Sequence, residues 1–172
     1  MTHANRGKVW EQLLEMHHAR YERQGRAVVL RTPPPMRILR ALTGGQFVAC
    51  YATEGPPDYM LLTGGLAVAL EAKDCASDRW PLAKLHAHQA RRLGLWEVQS
   101  GFGAVLLRHQ PSDTQWVLPW KALGPVWWRW HADHATDTVP RGGASLGVGQ
   151  LMVLGHPFHH VDGHLPTILA SR

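Results

Sequence analysis

Apolar side chains at Trp10, Leu13, Leu14, His17 and Tyr21 recur every three or four residues. That spacing predicts a helix over residues 8–24 with one inward face, closed by Gly25. A short apolar strand over residues 27–31 follows, and Pro33-Pro34-Pro35 then stops regular structure. Residues 36–42 and 46–53 flank Thr43-Gly44-Gly45, the pattern of a projecting hairpin, although a helix also fits parts of this segment. Apolar runs over 59–63 and 66–70 flank Gly64-Gly65, a two-residue hairpin signal because the favoured turns need positive φ. Pro81 is expected to open a second helix, with Leu82, Leu85, Gln89, Leu93 and Trp96 facing inward and Gly101 ending it. Strands over 102–108 and 115–119 surround the turn Gln110-Pro111-Ser112-Asp113. A third helix is predicted from Trp120 to about Ala135. From Arg141 onward the chain is rich in Gly and His and shows no clear period. Helix, strands, helix, strands, helix predicts an α/β fold with a mixed sheet.

The Gly64-Gly65 turn fixes a register with chemical consequences. If Thr63 faces Leu66, then counting outward sets Asp58 opposite Glu71, with Lys73 on the face of Glu71. Directly opposed residues have Cβ atoms roughly 5 Å apart, and like charges there repel. A divalent cation would relieve that repulsion, and an all-oxygen donor set favours Mg²⁺ or Mn²⁺ over zinc. An Asp at a strand start also serves as a turn residue, and Glu-x-Lys is also the pattern of a solvated strand. The uniformly apolar run 66–70 argues against solvation, because it reads as a strand covered on both faces.

Length and charge narrow the class. The chain has 172 residues, enough for one domain with a real core, and is 45% hydrophobic. A net charge of +5 favours an acidic polymer as partner, nucleic acid first. Cys50 and Cys75 form no CxxC pair, which fits a reducing, cytoplasmic setting. No signal peptide and no membrane span is expected.

Further candidates lie along the chain. Asn5, Arg6 and Lys8 precede the expected helix start, a favourable place for a phosphate. Arg31, Arg37, Arg40, Lys84, Arg91 and Arg92 are bases that could follow a nucleic-acid backbone or be ordinary surface charges. Glu11 near a helix start is favoured by the dipole alone. Gln89 on an inner face needs partners, at a strand edge or at the carboxylates. His86 and His88 lie beside it. His156, His159, His160 and His164 have loosely metal-like spacing. Trp127-Trp128-Arg129-Trp130 suggests core or subunit-interface packing before base stacking, so the third helix is a candidate dimer surface.

Several of these pieces together resemble one family. Asn5-Arg6-Gly7-Lys8 followed by Glu11, then Pro33-Pro34-Pro35, Asp58-Tyr59, Glu71-Ala72-Lys73-Asp74, and Pro81-Leu82 leading to His86-Ala87-His88-Gln89 are similar in order and spacing to RecU-type Holliday junction resolvases. These belong to the PD-(D/E)xK nuclease superfamily with the restriction-endonuclease-like fold. The resemblance covers about residues 5–120. It implies a mixed sheet flanked by helices, with a stalk at about 36–53 that enters a four-way junction. Residues 136–172 form a poorly matched tail within the same single domain. Asp58, Glu71 and the Ala72 carbonyl are then the expected metal ligands, with Gln89 at or beside the metal and Glu11 reaching it through water. Lys73 would orient the attacking water. Asn5, Arg6, Lys8, Arg31, Arg37, Arg40 and His88 would contact DNA. Pro56 stands where the family commonly has a hydroxyl, so that side-chain ligand is absent.

The activity so implied is an Mg²⁺-dependent endonuclease, with Mn²⁺ able to substitute. It would act as a homodimer and resolve junctions by paired symmetric nicks leaving 5′-phosphate and 3′-hydroxyl ends. The alternatives are another nuclease of the superfamily, sequence-specific or exonucleolytic, and a non-catalytic junction-binding protein. A metal-binding regulator using the C-terminal histidines is a third.

Overall fold

The structure, a computed structural model, describes residues 3–33, 35–51, 54–135 and 144–171, with backbone only at residues 3–7, 51 and 135. Six strands form the main sheet: β1 (Val28–Arg31), β4 (Tyr59–Thr63), β5 (Leu66–Cys75), β7 (Phe102–His109), β8 (Thr114–Pro119) and β10 (His156–Phe158), adjacent in that order. β5 and β7 run parallel, and the other neighbours are antiparallel. A parallel pair needs a crossover, and α2 (Ala87–Val98) supplies it. The mixed sheet flanked by helices is the fold that the resemblance implies.

Both faces of the sheet are covered, as the unbroken apolar runs require. α1 (His3–Arg23) closes one face with Trp10, Leu14 and Tyr21, which pack with Tyr59, Leu70 and Leu106. α2 and α3 (Trp120–Ala135) close the other, around Leu93, Val105, Leu107, Trp116 and Trp127. Trp120, Trp127 and Trp130 are therefore core residues, and only Trp128 of the α3 tryptophans stands half-exposed. The third helix offers no tryptophan-rich outer surface for a dimer contact. Among the described residues no helix is long and apolar enough to cross a membrane.

Two expected boundaries move. α1 begins at His3, so Asn5, Arg6 and Lys8 lie within the helix and not ahead of it. The side chains of Asn5 and Arg6 are outside the described residues, and Lys8 is exposed. Pro81 does not open α2. It ends β6 (Arg79–Pro81), which pairs with β9 (Ser145–Gly147), a partner too distant in sequence for local signals to reveal. A single 3₁₀ turn over Leu82–Lys84 intervenes, and α2 starts at Ala87 behind His86. At its far end Ser100, with φ 61°, takes the left-handed position. Gly101 is required for closeness instead: a Cβ there would lie 3.0 Å from the Ala67 and Trp96 carbonyl oxygens.

The segment after Pro33-Pro34-Pro35 is the hairpin and not the helix. β2 (Met36–Ala41) pairs with β3 (Phe47–Tyr51) around Thr43–Gly45, and residues 52–53 of the expected arm lie outside the described residues. The tail supplies β9, β10, α4 (Val148–Leu154) and α5 (Leu165–Ala170). Leu146 and Leu151 join one core and Phe158, Leu165 and Ile168 the other. His164 is buried against His18, with their Nε2 atoms 3.3 Å apart. His156, His159 and His160 are exposed, and among the described residues no group of three His, Cys, Asp or Glu is placed to hold a metal.

Candidate active site

The hairpin that carries the chemistry has the register read from the sequence. Gly64 and Gly65 adopt φ of 52° and 78°, Thr63 pairs with Leu66, and Tyr59 pairs with Leu70. One step beyond this ladder, Asp58 meets Glu71. β4 ends there while β5 continues alone on that side. The Ala72 N–H consequently has no strand partner and donates to Asp58 Oδ2 at 2.9 Å. A strand residue directs its N–H and C=O to the same side, so the Ala72 carbonyl faces the same gap.

Alternation along β5 sends Glu71 and Lys73 to the α2 side, where Gln89 waits one turn into the helix. Its Nε2 donates to Glu71 Oε2 at 2.6 Å. Its Oε1 accepts from Lys73 Nζ at 3.0 Å and from the His86 backbone N–H at 3.1 Å. Two donors fill the lone pairs of that oxygen. Gln89 thus holds Lys73 and Glu71 to the helix start, with Lys73 Nζ 3.6 Å from Glu71 Oε2. The same amide completes a capping box with His86, which explains why the helix begins where it does.

Glu71 is only 1% exposed, and its Oε1 has no hydrogen-bond partner. Burial, then the charge of Asp58, pushes its carboxyl up to about 8, while Lys73 pulls the other way. An orphaned carboxylate oxygen beside a second carboxylate and a backbone carbonyl is a donor set suited to a hard divalent cation.

A cleft of about 460 Å³ opens beside these groups, bordered by Trp10, Glu11, Arg31, Asp58, Lys73 and Asp74. Glu11 does reach the site's edge, but it is paired: Arg31 Nη2 lies 2.9 Å from Glu11 Oε2, and Arg31 Nη1 bonds Glu15. Arg31 is therefore engaged by two carboxylates at the cleft mouth. Arg37 and Arg40 sit on the exposed hairpin, away from the carboxylates. His88 lies 3.9 Å from Glu54, which also draws Arg91 at 4.0 Å.

Sequence reasoning missed Glu15 and Glu54, and it quoted Asp74 within Glu71-Ala72-Lys73-Asp74 without giving it a role. Glu15 is one helical turn beyond Glu11, so the i, i+4 spacing was the available signal. Asp74 directly follows Lys73. One of its oxygens accepts from Gln110 Nε2 at 2.8 Å and the other is buried without a partner.

The model of the family described as Recombination protein U matches residues 5–140. The Holliday junction resolvase RecU of Streptococcus pneumoniae (strain Hungary19A-6) is 28% identical over 145 residues, covering 81% of this chain and 72% of the relative. The protein of the same name from Staphylococcus carnosus (strain TM300) is 24% identical over 139 residues, covering 77% and 67%. The family match runs from within α1 past the end of α3 and takes in every side chain of the carboxylate cluster, and on it the chain belongs to the RecU family, Recombination protein U.

Proposed function

We propose that this chain is a divalent-cation-dependent endonuclease that resolves four-way DNA junctions as a homodimer. The observation that carries the reading is the buried, partnerless oxygen of Glu71, opposite Asp58 and tied through Gln89 to Lys73. A structural carboxylate would be expected to find a donor for each buried oxygen. The names of the relatives, Holliday junction resolvases, support the substrate.

Asp58, Glu71 and the Ala72 carbonyl would hold Mg²⁺, with Mn²⁺ able to substitute. The cation would acidify a water and neutralise phosphate charge. The remaining steps belong to side chains. Asp58 is anchored by the Ala72 N–H and lines the cleft. Lys73 presents a fixed positive charge where the phosphorane gains negative charge, and it can orient the attacking water. Gln89 acts as a positioning residue, fixing the angle between Lys73 and Glu71. Glu11, paired with Arg31 at the cleft mouth, would be released to help hold the cation if Arg31 turned to a phosphate. In-line attack then releases the 3′-oxygen and leaves a 5′-phosphate. A junction with two-fold symmetry suits a C₂ pair of such sites, each nicking one of two opposed strands.

The test compares a labelled four-way junction with matched linear duplex, in Mg²⁺, Mn²⁺ or EDTA, for wild type and Asp58→Asn. Paired, cation-dependent nicks in the junction alone, lost in the variant, are expected. Equal cutting of linear duplex would make the chain a general nuclease. Junction binding with no cleavage would make it a binding protein.

A further inference from the structure

Beyond Ala72 the sheet face under α1 changes character. Cross-strand partners share a face, as do residues two apart along a strand. The row through Ala72, Leu106 and Val117 is apolar. The next row, at the ends of β5 and β7 and the start of β8, is Asp74, Arg108 and Gln115, with Phe158 of β10 beyond it. Trp10 of α1 packs against Phe158 and borders the cleft together with Asp74. The polar row thus starts in the wall of the cleft and runs outward across β7 and β8.

Hydrogen-bonding capacity of both signs is unmet in this row. Asp74 Oδ1 and Gln115 Oε1 are buried without a partner. Arg108 lies between them in register, half-buried. Among the described residues no carboxylate pairs with it, and Gln110 takes the other oxygen of Asp74. Arg31 at the cleft mouth is in the contrary state, held by Glu11 and Glu15. A guanidinium has five donors in a fixed fork and keeps its charge, so partial burial without an acceptor is costly. The fork fits phosphate oxygens two at a time.

We propose that Arg108 binds the phosphate next to the scissile one on the cleaved strand, and so fixes which phosphodiester meets the cation. This deepens the nuclease reading and rests on it. Two residues along a strand span about 6.6 Å and one strand across is about 4.8 Å, so the Arg108 backbone lies about 8 Å from that of Ala72. The scissile phosphate is met by Lys73, and the Asp74 carboxylate repels phosphate in the space between. The next phosphate along the strand is the first that Arg108 can take. With phosphate oxygens on one edge of the guanidinium, its remaining N–H groups are left for Asp74 Oδ1 and Gln115 Oε1. One nucleotide step then satisfies all three groups together.

An affinity cycle on the full chain tests this. Methylphosphonates, each removing one phosphate charge, are placed singly along one strand through the branch point of a four-way junction. Binding is measured by fluorescence anisotropy in EDTA for wild type and Arg108→Gln, and the wild-type cut is mapped separately in Mg²⁺. Neutralising the phosphate beside the cut should weaken wild type on the order of tenfold and leave Arg108→Gln unchanged. Every other position should weaken both proteins alike. Equal losses at every position, or a coupled phosphate that is not the neighbour of the cut one, would overturn the proposal. Should Arg108→Gln fail to fold, Arg108→Lys keeps the charge without the fork. Its loss at that phosphate should shrink to a few-fold, and a loss equal to that of wild type overturns the contact. Junction cleavage in Mg²⁺ with equal losses throughout would spare the nuclease reading and remove only the role of Arg108. Coupling at one phosphate without any cation-dependent cleavage would overturn the nuclease reading and, with it, the placing of the cut by Arg108. A wild type with no affinity for the junction, with or without Mg²⁺, overturns both.

Discussion

Replacing Glu71 by Gln should stabilise the protein while abolishing cleavage. In the cation-free fold, burial and Asp58 raise the Glu71 carboxyl from an ordinary 4.5 to about 8. The folded state therefore keeps this proton through a window in which the unfolded chain has lost it, and stability falls as pH rises from about 4.5 to 8. Each pH unit across the window is worth 1.36 kcal/mol. By pH 7, about 2.5 units above the unfolded value, roughly 3 kcal/mol has been lost. A glutamine side chain in this place would resemble the protonated acid: its carbonyl can accept from Gln89 Nε2, and its amide N–H can donate toward Asp58. For a chain of this length about 3 kcal/mol corresponds to some 6–12 °C in Tm. Thermal unfolding in EDTA should show Glu71→Gln melting higher than wild type by about that margin at pH 7, with the gap nearly closed at pH 5. Saturating Mg²⁺ should narrow the gap at pH 7, because binding stabilises only the protein that can bind. Equal melting temperatures at pH 7, or a gap that does not change with pH, would refute the assignment of a strained, proton-holding carboxyl.

The same geometry sets three more outcomes. Gln89→Leu removes the donor to Glu71 and the acceptor for Lys73, and kcat on a junction should drop about 10–100-fold with KM little changed. Lys73→Met should cost about 10²–10³-fold in kcat while leaving junction affinity by gel shift within a few-fold. His18 is held neutral by burial, with its pKa lowered to about 4. The unfolded chain takes up that proton first, so stability present above about 6.5 should be lost as pH falls toward 4. Chemical denaturation of wild type and His18→Asn across that range should show the variant with the flatter profile.

The candidate site was legible because it is local. Asp58, Glu71 and Lys73 belong to one hairpin whose turn residues set the register, and nothing distant can shift that count. Gln89 was recognisable as an inner-face polar residue, but its three partners were not, since they depend on how α2 docks on β5. Pro81 was misjudged for the complementary reason. A proline before an apolar period is a good helix opener, yet here β9, more than sixty residues later in the chain, holds the segment extended. The face on which Arg40 lies was unreadable as well, because the register of β2 on β3 shifts between Ile38 and Arg40. A bulge has no residue signature in this strand, and a shift of one position reverses every side chain after it.

The two ends of the chain are tied to each other, and that bears on the order in which it is made. Near its start, Tyr21 accepts a hydrogen bond from the Leu165 N–H, Arg20 bonds Asp162, and His18 meets His164. Near its end, β10 adds the last strand of the sheet. Contacts spanning most of the length close slowly, and on a ribosome they cannot form until the tail has emerged. α1, which brings Trp10 and Glu11 to the cleft and packs on Tyr59 and Leu70, thus gains these further ties only after residues 156–170 have been translated. Nascent chains that stop short of residue 156 would carry the carboxylate hairpin with that wall of the cleft less firmly held.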